Sequence, residues 1–330
     1  MVGRTDIEHR RLMENMLLMP IRSMLILYST LMVGTFTAIG PSAAGAPSTT
    51  NPFAHLIRIK RDIPYVMGGI PAQTGDLYIP RSLGNHPAVL LIHGGAWKWG
   101  SRNDTGVSYI APRLAANGFE VFNINYRLIG AGGRFPGDLI DCKNALAWLF
   151  IHAHRLHIRP GEIFVAGCSA GAHLALMTAY TAQSKYFIPT AYPNERVKVR
   201  AVIGFYTPTN LMLIHGLSRK TWAYQLVQDY LKNWLKLHPI DGMLTASPIA
   251  YLHHAVPTLL FQGTRDKLVP PIEASTLAGA LKDAHKPVKL IMVKGVGHAF
   301  MNFPSPERRD ALNQFLAYLK SQLKRSSARK

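Results

Sequence analysis

The reading of this chain turns on Ile163-Phe-Val-Ala-Gly167-Cys-Ser169-Ala-Gly171-Ala-His-Leu-Ala-Leu-Met177. Four apolar residues, two of them β-branched, predict a short buried strand. A helical pattern starts at Ala170. Between them lies Gly-x-Ser-x-Gly, in the strand–turn–helix context that gives the pattern meaning. A serine on so sharp a turn is backbone-strained. Side chains two positions to either side would collide where strand and helix nearly touch, so glycine is needed at 167 and 171. The turn lifts the Ser169 hydroxyl above a sheet and sets it near a helix N-terminus, which favours developing negative charge.

Outward from this segment, short aliphatic runs alternate with longer helix-like stretches. Strands are expected at 88–93, 119–124, 163–166, 201–205, 258–262 and 288–293, and helices near 103–117, 138–155, 170–183, 272–285 and 306–324. Runs of this kind suit strands covered on both faces. The alternation predicts an α/β fold, a mostly parallel sheet with helices on both sides. Residues just beyond strand C-termini then become the candidates for chemistry. The stretch 207–248, rich in Trp, Tyr, Leu and Lys, reads as a small helical, cap-like insertion over the site.

A serine hydroxyl needs a base to take its proton. Two later strand ends each offer one suitable residue: Asp266 after strand 258–262, and His298 after strand 288–293. The order Ser, Asp, His assigns Ser169 as nucleophile, His298 as general base and acid, and Asp266 as the carboxylate that orients the imidazole. Strand 88–93 runs into His93-Gly94-Gly95-Ala96-Trp97. There Gly94 or Gly95, with Ala170, is expected to supply backbone N–H groups for an oxyanion. His93 is expected to fix that loop. Trp97 and Trp99 either line the acyl pocket or pack the loop. His173 is expected to be packed or surface-facing. His152, His154 and His157 lack a carboxylate or cysteine partner, so they are not expected to hold zinc.

Several further motifs occur in order: Asp62-Ile-Pro-Tyr65 with Gly75-Asp-Leu-Tyr-Ile-Pro80, Asn125-Tyr-Arg-Leu128, Phe135-Pro136 with Asp141, Ser247-Pro-Ile249 and Asp266-Lys-Leu-Val-Pro270. With Gly-Cys-Ser-Ala-Gly and Gly297-His298 they make residues 60–320 resemble the esterase/lipase branch of the α/β-hydrolases. Within it the chain is similar to BD-FAE-type and hormone-sensitive-lipase-like carboxylesterases. The resemblance implies a Ser169–Asp266–His298 triad acting on a small-molecule ester through an acyl-enzyme, with no metal and no cofactor. Ala96-Trp97, where many lipases have a third glycine, also resembles kynurenine formamidases and prenylcysteine methylesterases, so formamide or other amide cleavage is the alternative. A catalytically silent binding protein of this fold is the rival from another class, and the intact Ser, Asp and His argue against it. Cys168 stands where relatives often have an acidic residue, as either an inert buried thiol or a redox-sensitive one.

The 330 residues are 48% hydrophobic and 17% charged, enough for one large domain and unlike a disordered chain. Two cysteines exclude a disulfide framework. The 37 basic against 18 acidic side chains give a formal charge of +19, which reads either as the basic surface of a soluble enzyme or as a preference for membrane head groups and other anionic surfaces. No dense basic motif singles out nucleic acid, and the run Lys320, Lys324, Arg325, Arg329 and Lys330 reads as a solvated helix end. Residues 1–50 read as a leader. Arg10, Arg11 and Arg22 precede the apolar stretch Met24–Gly40, and small residues at Ala44 and Ala46 follow. This is the pattern of a signal peptide, cleaved or kept as an anchor, and it implies a secreted or cell-envelope protein. The catalytic domain is assigned to 51–330. Oligomeric state is not legible.

Overall fold

The computed structural model describes residues 52–215 and 219–327, so the leader assignment lies outside the described residues. Eight strands form one sheet: β1 (Ile57–Pro64), β2 (Thr74–Pro80), β3 (His86–Ile92), β4 (Glu120–Ile124), β5 (Ile158–Cys168), β6 (Val199–Phe205), β7 (Thr258–Gly263) and β8 (Val288–Val293). Their spatial order is β1-β2-β4-β3-β5-β6-β7-β8. From β4 to β8 all pairings are parallel, whereas β2 pairs antiparallel with both β1 and β4. The fold is therefore α/β with a mostly parallel sheet.

The longer helices are α1 (Thr105–Ala116), α2 (Gly137–Ile151), α3 (Ala170–Tyr180), α5 (Trp222–Leu237), α7 (Pro271–Asp283) and α8 (Pro306–Ser327). Two short helices, α4 (Leu211–His215) and α6 (Gly242–Thr245), flank α5. Alternation along the central strands divides the core in two. Ala88, Leu90 and Ile92 of β3 and Val165 of β5 pack with α2, α3 and α7. Val89, Leu91, Phe164 and Ala166 face the other way, onto α1 and α8. Successive side chains of a strand point to opposite faces, so near-continuous apolar runs are what a sheet covered on both sides requires.

The aliphatic-run reading finds six strands and misses β1 and β2. In Ile57-Arg-Ile-Lys-Arg-Asp-Ile-Pro64 charged residues interrupt the apolar ones, because β1 is an edge strand with much of its surface in solvent. β5 also starts earlier than expected, at Ile158, and runs to the residue before Ser169.

One polar cluster ties the start of the sheet to the helices. Asp141 on α2 is fully buried and accepts from the Arg127 backbone N–H (3.0 Å), Arg127 Nε (2.8 Å) and Nη2 (2.9 Å), and Gln73 Nε2 (2.8 Å). Loss of this carboxylate strands a half-buried guanidinium. Asp141→Ala is expected to lower stability by about 2–4 kcal/mol, read as a lower urea midpoint at unchanged slope.

Candidate active site

Ser169 occupies the turn between β5 and α3 with φ 54° and ψ −122°. A Cβ on Gly167 would lie 2.2 Å from the Gly171 carbonyl oxygen, and one on Gly171 would lie 2.1 Å from that of His93. Both glycines are thus demanded by backbone contact. The Ser169 N–H donates to Phe205 O at the end of β6 (2.9 Å), which fastens the turn to the neighbouring strand.

The loops after β7 and β8 bring the other two residues to it. Ser169 Oγ lies 2.9 Å from His298 Nε2, and His298 Nδ1 lies 2.8 Å from Asp266 Oδ2. A carboxylate only accepts, so Nδ1 carries the proton and Nε2 is left to accept from the serine. Asp266 is buried. Its Oδ1 accepts from the backbone N–H groups of Leu268 (3.0 Å) and Val269 (2.9 Å), and its Oδ2 also accepts from Gln262 Nε2 (3.1 Å). These donors compensate the charge and leave one direction for the imidazole.

Gly94 abuts the serine turn, where a Cβ would fall 2.9 Å from Cys168 O. Gly95 has φ +104°, and a Cβ there would strike Trp99 O at 2.0 Å. The loop is fixed from below by His93, as the sequence suggested. His93 is buried, stacks on Tyr126 at 4.4 Å, and donates from Nδ1 to Gly94 O (2.6 Å). Burial pushes its pKa down to about 4, so the ring is neutral.

Trp97 is buried and Trp99 half exposed. Trp97 stacks on Tyr230 of α5 at 4.4 Å, and its Nε1 donates to His173 Nδ1 (3.2 Å). His173 is buried, with its pKa lowered to about 4 by burial, and donates from Nε2 to Ala246 O (2.8 Å). Trp99 stacks on Trp222 at a centroid distance of 6.0 Å. Trp97 therefore packs the loop and also lines a cleft.

Two clefts meet at Ser169. One, of about 30 Å³, is lined by Trp97 and Ala96 on one side and by Ile214, Trp222, Leu226 and Val227 on the other. The second, of about 300 Å³, is bounded by Gly94, Gly95, Trp99, Tyr206, His298 and Asn302. Trp222 borders both. The stretch 207–248 thus supplies helical wall to the site. Arg134 Nη2 ties it to the body through Asp229 Oδ1 (2.8 Å).

Residues not singled out from the sequence also shape the site. Tyr206 presents its ring edge-on to His298, with centroids 4.8 Å apart. It directly follows strand 201–205, so the strand-end rule points at it. Glu273, at the start of α7, is buried and clamps the loop that carries Pro208. Its Oε2 accepts from Thr209 N (2.9 Å), Asn210 N (2.8 Å) and Thr209 Oγ1 (2.9 Å). Cys168 and Cys142 are both free and buried. Burial pushes the Cys168 thiol up to about 12, which makes it inert rather than redox-active. His152, His154 and His157 stay away from the site, and among the described residues no group of three or more His, Cys, Asp or Glu is placed to hold a metal.

The BD-FAE family model matches residues 76–281, and a second model, described as TAP-like protein, matches 239–325. Esterase LipC of Mycobacterium tuberculosis is 29% identical over 262 residues, covering 77% of this chain and 64% of that protein. "Probable carboxylic ester hydrolase LipM" of the same organism is 28% identical over 291 residues, covering 84% and 66%. The chain thus spans just under two thirds of the length of these curated relatives. A hyperthermophilic esterase from the archaeon Pyrobaculum calidifontis superposes with a TM-score of 0.64 at 27% identity, over 81% of this chain and 86% of that one.

Burial raises the Glu273 pKa from 4.5 to about 7. The native state therefore holds a proton that the unfolded chain has lost, and stability falls as pH rises through that window. Glu273→Gln is expected to flatten this part of the stability–pH curve, measured by urea unfolding across pH 4.5–7.

Proposed function

We propose that this chain, which belongs to the BD-FAE family, is a serine hydrolase that cleaves carboxylic esters through an acyl-enzyme. The observation that carries this reading is the unbroken line from Ser169 Oγ through His298 to Asp266, with contacts of 2.9 and 2.8 Å. The esterases among its relatives support it.

In this mechanism His298 Nε2 takes the Ser169 proton as Oγ attacks the ester carbonyl. The resulting oxyanion is held by backbone N–H groups of Gly94 or Gly95 and of Ala170, which cost no reorganisation when charge develops. Asp266 stabilises the imidazolium without taking its proton. The imidazolium then protonates the departing alkoxide, and the acyl group remains on Oγ. A water, deprotonated by the same Nε2, releases the acid and restores Ser169.

The two clefts give this reaction a direction. The leaving oxygen must lie within reach of the general acid, so the alcohol belongs in the larger cleft, which His298 borders. The acyl chain belongs in the narrow apolar one, which Trp222, Leu226 and Val227 close. The proposed substrate class is an ester of a short acyl chain with a bulkier alcohol.

Ser169→Ala is expected to lower kcat by a factor on the order of 10⁴ to 10⁶, and Asp266→Asn by about 10⁴, on p-nitrophenyl acetate or butyrate. A Ser169→Ala protein that retains full turnover removes the assignment. N-formylkynurenine run beside these esters tests amide cleavage, which is expected to be the slower reaction. Trp222→Ala is expected to raise the octanoate-to-acetate ratio of kcat/KM by about tenfold, or ~1.4 kcal/mol.

A further inference from the structure

Two clefts open at the pole where the parallel strands begin. The last six residues of β5, from Ile163 beside the first residue of β6 to Cys168, separate this pole from Ser169 by roughly 20 Å. The first cleft, of about 340 Å³, is lined by Arg58 and Arg81 together with Leu83, which is 99% exposed. The second, of about 640 Å³, is lined by Lys198, Arg200 and Lys286. No carboxylate lines either cleft.

Among the described residues none of these five cations is ion-paired with a carboxylate. Arg81, Arg200 and Lys286 donate instead to the carbonyls of Ile57, Gln322 and His253, which hold the side chains without cancelling their charge. The buried Glu120 carboxyl senses Arg58 and Lys60, yet burial pushes its pKa up to about 8, so it opposes them little at neutral pH.

The chain enters the sheet at the same pole, because Ile57 opens β1 opposite Pro80, the last residue of β2. In sequence, the apolar stretch Met24–Gly40 lies upstream of that point. Unneutralised cations around a fully exposed leucine fit a surface that is anionic outside and apolar just beneath. A nucleic acid would use the cations and leave Leu83 idle.

We infer that this pole docks on an anionic lipid bilayer, with the cations against headgroup phosphates and Leu83 at the acyl boundary. Docked so, the protein turns the Ser169 cleft away from the membrane. This inference does not depend on the hydrolase reading.

The full chain is tested by flotation with vesicles of mixed phosphatidylglycerol and phosphatidylcholine, against phosphatidylcholine alone, at low and high salt. The leader, with its own arginines, is the same in every variant, so its contribution cancels when the charge variants are compared with the unaltered chain. Partition onto the anionic vesicles is expected to exceed the neutral by tenfold or more and to collapse in high salt. Arg58→Glu with Lys198→Glu is expected to abolish that excess, and Leu83→Ser to reduce it about threefold, with Tm unchanged. Should the reversals lower Tm, Arg58→Gln with Lys198→Gln reads the same loss at smaller amplitude. Equal partition onto both vesicle types overturns the inference, as does an excess that survives the charge variants. So does tighter binding to duplex DNA than to lipid, with lipid partition indifferent to Leu83→Ser.

Discussion

The structure depends on how closely three backbone segments approach one another around Ser169. Gly167 touches the carbonyl of Gly171, Gly171 touches that of His93, and Gly94 touches that of Cys168. Each contact leaves no room for a methyl group. Together they lock the end of β3 against the turn between β5 and α3, so the Gly94–Gly95 amides and the serine hydroxyl share one frame. A looser junction would leave the hydroxyl mobile relative to the groups proposed to receive it, and a displacement of about 1 Å is enough to cost a large part of the advantage of positioning.

Electrostatic environment separates the histidines into kinds. His93 and His173 are buried without a carboxylate, and both are held neutral as hydrogen-bonding struts for the loop and for Trp97. His298 is the one set against a buried carboxylate whose other lone pairs are occupied by Gln262 and two backbone amides. The same side chain serves as scaffold in two places and as a proton carrier, in our reading, in the third. The difference lies in the partner supplied and not in the residue type.

Much of this was legible in the sequence, and the limits have physical causes. Central strands covered on both faces read as aliphatic runs, so β3 to β8 are legible, and with them the strand-end positions of Ser169, Asp266 and His298. β1 was missed because an edge strand needs apolar residues on only part of its surface, and its Arg58, Lys60 and Arg61 hide the alternation. Tyr206 sits after a strand that was identified and was open to the same rule. Glu273 was not, since its role depends on a loop 64 residues away closing onto it. The width of the narrow cleft is not legible in the sequence, because it is set by which face α5 turns toward Trp97.

The two walls of that narrow cleft differ in kind. Ala96 and Trp97 belong to a loop braced by a strand end, a buried imidazole and a stacked tyrosine. The facing side comes from an excursion between β6 and β7 that, among the described residues, adds no strand to the sheet. Residues can be inserted, deleted or exchanged in such an excursion without disturbing sheet register. One side of the cleft is therefore fixed by the geometry of the sheet, and the other is held by side-chain contacts such as Tyr230 on Trp97 and Arg134 on Asp229. The lining of that second side can be exchanged while the Ser169–His298–Asp266 arrangement stands still.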